Sequence, residues 1–377
     1  MAIPEATLAY LFMIREGPTH ALGEFAPECE LLSQRFAGEY WSYGSIEADV
    51  QIGRIRLRVV KDRSRFRVFN FLRFAGQVMH RAEELKANPV GEKRVVTSYD
   101  PFKGGLLAWW VARRLKSVFV CEVNGTYGNP DNFAHVKSAT WRSLRRLQMR
   151  IMGSYVLRRA DAVRLLYAEQ LKDFVTLRRN VVVRRFFALT YTDRFKPGPE
   201  EPVILAVGYP FMRKGVDLLA TAFLRLAPRY PDWKLVLIGH QIPDELRARG
   251  LVHERILALP GMPQEELIPW VSRCAILALA SRSEAMGRVL VEGAAAGKCR
   301  IATRVDGIPT VISDGVDGIL VEKNNVDELV TGLSKLMDDK NLRERLGAAA
   351  CRRVTVEFSP AVYLGLYSEL ITAALRG

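Results

Sequence analysis

Residues 203–303 alternate short β-forming runs with stretches of helical periodicity, and this alternation restricts the fold more than any other feature of the chain. The β-forming runs are VILAVG (203–208), KLVLIG (234–239), ILAL (276–279) and RIAT (300–303), and the helical stretches include 215–229 and 288–296. Strands that alternate with helices pair in parallel, because each helix carries the chain back across one face of the sheet. We therefore predict an α/β fold whose loops at the carboxyl edge of the sheet bind a ligand.

The first half of the chain predicts a second α/β domain. Its β-forming runs are TLAYLFMI (7–14), RVVTSY (94–99), SVFVCEVNG (117–125) and ADAVRLL (160–166), with a helical stretch at 104–116. A chain of 377 residues is long enough for two hydrophobic cores. The segment DRFKPGPEEP (193–202) holds three prolines and a glycine, which interrupt the periodic patterns on either side. We place the domains at 1–195 and 200–358, followed by a C-terminal helix at 359–377.

Composition predicts a cytoplasmic protein. No apolar run reaches the roughly 18 to 20 residues that span a bilayer. The N-terminal segment lacks the basic region and the cleavage site of a secretory signal. Neither the cysteines nor the histidines show metal-ligand spacing, so we predict no metal site. These residues are Cys29, Cys121, Cys274, Cys299 and Cys351, and His20, His80, His135, His240 and His253.

Positive charge is concentrated in the first half. Residues 1–200 contain 33 Lys and Arg against 20 Asp and Glu, whereas residues 201–377 contain 22 against 21. Between 51 and 200 basic residues are interleaved with aromatic ones, a composition that suits an anionic membrane. Apolar residues recur here at helical spacing, namely Trp141, Leu144, Leu147, Ile151 and Tyr155. This stripe faces either a membrane or the core of the first domain.

Nucleic acid is the other anion that a net charge of +14 could attract. The sequence contains no recognised nucleic-acid-binding motif, so that reading rests on charge alone. We therefore predict binding to an anionic membrane surface through the basic first half, with the protein peripheral on the inner face, and no binding to nucleic acid.

The segment SRSEAMGRVLVEGAAAGKCRIAT carries two glutamates eight residues apart at the predicted start of a helix. A helix start offers unpaired N–H groups and a positive dipole end to an anion. On one helix, eight residues at about 100° each would bring Glu292 within about 80° of Glu284, on the same broad side. Two such carboxylates could hold sugar hydroxyls by charge-assisted hydrogen bonds. On their own, however, two glutamates at this spacing more commonly lie on a solvated helix face.

The neighbouring segments favour a sugar-binding site over a solvated helix face. The arrangement resembles the E-x(7)-E signature of the family-4 retaining glycosyltransferases of GT-B fold. The resemblance covers roughly 200–358 and includes AVGYPFMRKGVDLLATAF, KLVLIG, PGMPQEELIPWVSRCAILALASRSEAMG, AAAGK, ATRVDGIPTVISDGVDGILVE and LRERLGAAACRRV. It implies two Rossmann-like domains facing across a cleft, with the nucleotide sugar on the second and the last helix returning to the first.

The resemblance also implies roles for single residues. Lys214 matches the lysine that contacts the donor diphosphate, Glu284 the glutamate near the transferred sugar, and Glu292 the one that holds the ribose. Gly208 is expected to end a strand close to the ligand. The donor-approaching loop is matched by Gly287, Arg288 and Val289. The alternatives are a surface lysine at 214 and a simple turn glycine at 208.

The chain departs from the family pattern at several places. Tyr209 stands where the family usually has an arginine, and Arg213 in the same loop is the residue that would replace its charge. Asn124 stands where the family has a histidine facing the donor sugar, and an asparagine can donate a hydrogen bond there without charge. The glycine pair of the first family loop is absent, and REGPTH offers Gly17 alone.

The implied activity is the retaining, metal-independent transfer of a hexosyl-type sugar. The donor would be a UDP- or GDP-linked sugar, with no separate cofactor, and the acceptor a saccharide or a lipid-linked intermediate in cell-surface polysaccharide or glycolipid biosynthesis. The alternative is a catalytically silent GT-B homologue that binds a saccharide or a protein partner. The departures at Tyr209, Asn124 and the missing glycine pair motivate that alternative.

Overall fold

The computed structural model describes residues 7–19, 21–88, 93–133, 138–172, 174, 177–178 and 180–377, and the chain forms two compact units. Unit 1 comprises Met1–Gly125, Leu144–Phe186 and Tyr363–Gly377. Unit 2 comprises Thr126–Ser143 and Phe187–Val362.

Unit 1 is built on an eight-stranded sheet of order β3-β4-β2-β1-β5-β6-β7-β8. The strands are β1 (Tyr10–Thr19), β2 (Ala37–Gly44), β3 (Ala48–Ile52), β4 (Ile55–Lys61), β5 (Arg94–Ser98), β6 (Val118–Val123), β7 (Ala162–Leu165) and β8 (Val182–Arg185). Neighbouring strands pair in parallel except β3 and β4, which are antiparallel. The helices in this part of the chain are α1 (Ala26–Ser33), α2 (Arg67–Ala87), α3 (Lys103–Leu115) and α4 (Ala139–Leu157).

Unit 2 is built on a six-stranded, all-parallel sheet of order β11-β10-β9-β12-β13-β14. Its strands are β9 (Glu201–Val207), β10 (Lys234–Ile238), β11 (Ile256–Leu259), β12 (Cys274–Leu279), β13 (Cys299–Thr303) and β14 (Ile319–Val321). Its helices are α5 (Val216–Leu226), α6 (Ile242–Ala248), α7 (Gln264–Arg273), α8 (Arg288–Ala295), α9 (Val326–Asp338) and α10 (Lys340–Glu357). The continuous apolar run CAILAL of β12 is buried along its whole length, as expected of a strand covered by helices on both faces.

The two parallel sheets with their helices confirm the predicted α/β fold with two Rossmann-like domains. The division of the chain differs from a single break near 195–200. Unit 2 takes in Thr126–Ser143, because Thr126, Asn129 and Asp131 bond to Ser283, Asp306 and Lys323 respectively. Contacts between side chains so far apart in sequence leave no trace in local composition.

The last helix, α11 (Pro360–Arg376), contributes Tyr363–Gly377 to unit 1. Its Tyr367 hydroxyl donates to Glu122 at 3.4 Å, and its Tyr363 ring meets Phe186 edge-on. By length and composition alone, Lys340–Arg376 could cross a membrane, contrary to the expectation that no segment would. The stretch is divided into α10 and α11, and the tyrosines of α11 are buried in unit 1, as in a core helix.

The apolar stripe of α4 does not face the core. All five of its residues are exposed, from 42% for Tyr155 to 62% for Ile151, and burial in α4 begins only at Gly153. The core-facing reading of this stripe is therefore wrong. A further exposed apolar patch surrounds the start of α2 and comprises Phe66, Val68, Phe69 and Leu72.

Candidate active site

The topology of unit 2 indicates where a ligand binds. From β9 the chain runs outward to β10 and β11 on one side, and then returns to place β12 on the other side of β9. In open α/β sheets, the crevice beyond the carboxyl ends of two such strands is the usual ligand site. The loop 208–215 follows β9, and the loop 280–287 follows β12. The switch point therefore brings together two segments about 70 residues apart in sequence.

Lys214 and Glu284 meet at this switch point. The Lys214 Nζ lies 2.5 Å from Glu284 Oε2, and the two side chains are only 14% and 12% exposed. Burial alone would raise the pKa of Glu284. The Lys214 ammonium, helped by Arg213 and by the Gly287 N–H, outweighs burial and lowers that pKa below its ordinary value. The carboxylate is therefore ionised across the neutral range and holds the lysine in place.

Gly208 makes room for the lysine. Its φ of 138° is one that other residues rarely adopt, and a β-carbon at this position would lie 2.8 Å from the Lys214 Cε. The glycine is thus required for the close passage of the lysine stem, beyond any role in ending β9.

A second cation lies beside the pair. Arg213 donates to the Tyr209 carbonyl at 3.1 Å and lies 3.5 Å from the Ser283 carbonyl, so its guanidinium spans the two loops. Tyr209 itself is 45% exposed, and its hydroxyl lies 3.3 Å from Gln241 Oε1. Arg213 therefore places its positive charge beside the Lys214–Glu284 pair, in the same loop as Tyr209.

The start of α8 faces the same loop, but one geometric premise drawn from the sequence is wrong. Helix α8 begins at Arg288, so Glu284 lies in the preceding loop and does not share a helix face with Glu292. Gly287 is the residue before the helix and has a φ of 75°, which favours glycine. Arg288 is exposed and Val289 is buried in the first turn, where unpaired N–H groups are available to an anion.

Glu292 is a buried carboxyl group on α8. It is 8% exposed, and its Oε1 accepts a hydrogen bond from Gln264 Nε2 at 3.2 Å. Burial raises the pKa of Glu292, and the nearby Arg288 and the Gln264 hydrogen bond only partly oppose this effect. A buried carboxyl group with a raised pKa is costly to ionise, and such groups are typical of functional sites.

The remaining two predicted residues lie in unit 1. The Asn124 amide donates to the Tyr99 carbonyl at 2.7 Å and to Glu122, and its oxygen accepts from Arg164. Both N–H groups of the Asn124 amide are therefore used within the protein, whereas the sequence analysis expected them to bond to the sugar. Gly17 lies inside β1, which extends to Thr19 past a register irregularity, and not in a loop as expected.

Three contributors were missed by the sequence interpretation. Arg282 forms a two-pronged ion pair with Asp217, at 2.8 and 2.7 Å, and so ties the loop after β12 to the start of α5. Asp306, after β13, accepts the backbone N–H of Glu284 at 3.0 Å. The Asp-Gly dipeptide at 306–307 is a turn signal, but spacing cannot show which loop it contacts.

Among the described residues, no three His, Cys, Asp or Glu side chains cluster as metal ligands.

Comparison with known proteins agrees with this geometry. Residues 191–353 match the family described as Glycosyl transferases group 1. The whole fold is that of GT-B glycosyltransferases: the structure of Anabaena HepE in complex with UDP-glucose superimposes with a TM-score of 0.73, covering 97% of this chain and 99% of that one at 14% identity. Residues 191–353 thus match this family, which confirms the resemblance seen in their motifs.

Curated relatives match part of the chain. An uncharacterized glycosyltransferase of Methanocaldococcus jannaschii is 34% identical over 148 residues, which are 38% of this chain and 40% of that protein. The alpha-D-kanosaminyltransferase of Streptomyces kanamyceticus is 27% identical over 233 residues, which are 59% of this chain and 58% of that protein. The match therefore spans roughly half the length of these relatives.

Proposed function

We propose that the protein is a family-4 retaining glycosyltransferase that moves a hexosyl-type sugar from a nucleotide-diphosphate sugar to a saccharide or lipid-linked acceptor. The observation that carries this proposal is the Lys214–Glu284 contact at the switch point of the second sheet. The contact supports the proposal because an ammonium group is suited to a diphosphate and the adjacent carboxylate is suited to sugar hydroxyls. The start of α8 adds N–H groups on the same loop.

In the ligand-free protein the two charges neutralise each other. Donor binding exchanges that ion pair for two contacts with the ligand, as the diphosphate takes Lys214 and a sugar hydroxyl donates to Glu284. Because both groups are already largely buried, little further desolvation opposes the exchange. Glu292 completes donor binding by accepting hydrogen bonds from the ribose.

During transfer the bond between the anomeric carbon and the diphosphate oxygen breaks, and a bond from that carbon to the acceptor oxygen forms. Negative charge grows on the leaving diphosphate, where Lys214, Arg213 and the start of α8 stabilise it. In retaining transfer a donor phosphate oxygen accepts the acceptor's proton on the same face of the sugar. This arrangement needs no metal ion and no separate cofactor.

The donor substrate in this proposal is a sugar linked to UDP or GDP. Anabaena HepE was crystallised with UDP-glucose, which makes UDP-sugars the first donors to examine. The base is not contacted by Lys214, Glu284 or Glu292 in this scheme, so these residues do not choose between the two nucleotides.

We further propose that the protein works in the cytoplasm, peripherally on the inner face of a membrane, in cell-surface polysaccharide or glycolipid biosynthesis. Support comes from α4, where an exposed apolar stripe lies on a helix that also carries Arg142, Arg145, Arg146 and Arg150. A basic helix whose apolar stripe is exposed among the described residues is suited to the interface of an anionic bilayer. A lipid-linked acceptor would be found at the same surface.

The activity is tested by incubating the protein with UDP- and GDP-linked sugars and a lipid or saccharide extract, followed by proton NMR of the anomeric signal of the product. A product with the same anomeric configuration as the donor supports retention. An inverted product would overturn the mechanism, although not the assignment of the donor site.

A catalytically silent GT-B homologue is the second candidate. The observation that favours it is Asn124, whose amide is occupied by Tyr99, Glu122 and Arg164 inside unit 1. A silent homologue would bind nucleotide sugars but neither transfer nor hydrolyse them, so measurement of donor hydrolysis separates the two candidates.

A further inference from the structure

Asp306 stands at the carboxyl end of β13, the strand next to β12 in the second sheet. Lys214 follows β9, Glu284 follows β12 and Asp306 follows β13, so three adjacent strands each direct one charged residue to the same edge. The Asp306 carboxylate accepts from Glu284 N at 3.0 Å, from Ser283 Oγ at 2.9 Å and from Asn129 Nδ2 at 3.0 Å.

The backbone of Glu284 is held by this turn on both sides. Its N–H donates to Asp306, and its carbonyl accepts from the Gly307 N–H at 3.1 Å. Glu284 lies in an irregular loop, where no strand or helix fixes its backbone. The hydrogen bonds from Asp306 and Gly307 therefore hold the backbone of Glu284 in place, as a strand or helix would.

The backbone at Asp306 is strained. Its φ is 45°, in the left-handed region where glycine is favoured over residues with a β-carbon. Glycine at this position would relieve the strain but would remove every contact that the carboxylate makes. Strain retained beside a ligand site indicates that the side chain itself is needed.

The carboxylate also fixes the direction of a hydrogen-bond chain. Ser283 Oγ donates its one hydrogen to Asp306, so Thr126 Oγ1 is the donor in the 2.6 Å contact between Thr126 and Ser283. Asn132 Nδ2 in turn donates to Thr126 Oγ1 at 2.6 Å. Residues 126–132 are thus attached to the loop of Glu284 at two places, by Thr126 to Ser283 and by Asn129 to Asp306.

We propose that Asp306 is a positioning residue for Glu284 and sets the carboxylate of Glu284 at the reacting sugar. This inference rests on the proposed function, since it assigns the role of Asp306 within the same donor site. Asp306 itself touches neither donor nor acceptor in this scheme.

The first test is Asp306→Gly. If Asp306 served only the turn, glycine would be neutral or stabilising, because it adopts this φ without strain. We expect instead a stable protein whose kcat falls about 10- to 100-fold, a size typical of a displacement of about 1 Å in a reacting group. Binding of the nucleoside diphosphate alone, measured by calorimetry, should change by less than about 3-fold, because this ligand lacks the sugar that Glu284 contacts.

Lys116→Gly is the matched control. Lys116 also has a left-handed φ, 48°, but it lies after α3 in unit 1. This variant relieves the same kind of strain, and we expect unchanged kcat. The double variant Asp306→Asn with Asn129→Asp exchanges amide and carboxylate and should recover part of the kcat lost in Asp306→Asn alone.

Hydrogen exchange gives a readout that does not depend on activity. The peptide covering 281–287 should exchange faster in Asp306→Gly than in the wild type, and Lys116→Gly should leave it unchanged. Unchanged exchange in Asp306→Gly, or full kcat in that variant, would overturn the role of Asp306. A wild-type protein without transfer or hydrolysis would contradict the proposed function instead, and the exchange experiment would still decide the role of Asp306.

Discussion

The donor edge of unit 2 and the surface of α4 use charged residues in opposite ways. At the donor edge, Lys214 and Arg282 are mostly buried and each pairs with a carboxylate that is distant in sequence, Glu284 and Asp217 respectively. On α4, the arginines lie on a helix whose apolar residues are themselves exposed. Buried, paired charges fix single atoms for a small ligand, whereas exposed charges beside apolar groups suit an extended, deformable surface.

The comparison predicts that substitutions in the two regions affect different properties of the protein. A change at the donor edge should alter kcat or KM without affecting membrane binding. A change on α4 should alter membrane binding without affecting the handling of a soluble donor.

The largest effect is expected for Lys214→Ala. Charge grows on the diphosphate as it leaves, so loss of the ammonium should lower kcat about 100- to 1000-fold, while donor KM changes less. Steady-state kinetics with the preferred donor measure both constants. Lys234→Ala, at an exposed lysine that begins β10, is the matched control and should leave kcat unchanged. Equal kcat in the wild type and Lys214→Ala would show that the site is assigned wrongly.

The next largest effect is expected on α4. The double variant Leu144→Glu with Ile151→Glu replaces two exposed apolar side chains by charges, and should weaken binding to anionic vesicles about 10- to 100-fold. Vesicle sedimentation measures the loss, and in the wild type binding should also fall as salt rises. Val356→Glu changes an apolar residue on α10 that is more exposed than Leu144 or Ile151, and it is expected to have no effect. Wild-type binding that is equal on neutral and anionic vesicles would contradict the membrane proposal.

Glu292→Gln should raise donor KM about 10-fold with little change in kcat, because the ribose is held alike in ground and transition states. It should also raise the melting temperature of the ligand-free protein by about 1–3 °C, since an uncharged amide avoids the burial of a carboxylate. Scanning calorimetry and donor saturation curves measure the two effects. A lowered melting temperature with unchanged KM would show a purely structural role for Glu292.

The raised pKa of Glu292 sets the sign of the pH dependence. The folded protein binds this proton more tightly than the unfolded chain, so the ionised group lowers the free energy of unfolding at neutral pH. That penalty disappears as the pH falls through the raised folded pKa toward the ordinary value of 4.5. Donor binding needs the ionised form and should weaken as the pH falls through the folded pKa. This acid limb should be absent in Glu292→Gln.

The smallest effect is expected for Tyr209→Arg. Arg213 already spans the two loops of the site, so a second arginine should raise kcat by less than about 3-fold. Arg213→Ala in the same assay should lower kcat more than Tyr209→Arg raises it. A large gain in Tyr209→Arg with no loss in Arg213→Ala would show that Arg213 does not replace the missing charge.

The sequence predicted four of the six strands of the second sheet, β9, β10, β12 and β13, because these are short apolar runs separated by helices, whereas β11 and β14 were missed. The run KLVLIG, for example, forms β10, and ILAL lies within β12. The same alternation placed Lys214 and Glu284 in loops at one edge, where parallel topology brings them together. In the first half the strands β2, β3 and β4 were missed, because AGEYWSYG and its successors mix polar and apolar residues without a helix between them. The four-residue strand β8 was missed as well.

The missed parts of the site depend on contacts across long sequence separations. Asp306 and Asn129 are 177 residues apart, and Arg282 and Asp217 are 65 apart. No local pattern specifies such a pair. The helical-face argument for Glu284 and Glu292 failed for a local reason, since the glycine at 287 starts α8 after Glu284 and not before it.

Release of nucleoside diphosphate from UDP- and GDP-linked sugars, measured with an acceptor extract present, tests most directly whether unit 2 activates a nucleotide sugar at the Lys214–Glu284 contact. We expect the wild-type protein to release diphosphate from donors of one nucleotide class, and Lys214→Ala to release it far more slowly. Tight donor binding without release from any donor, or equal release by the two proteins, would contradict that assignment.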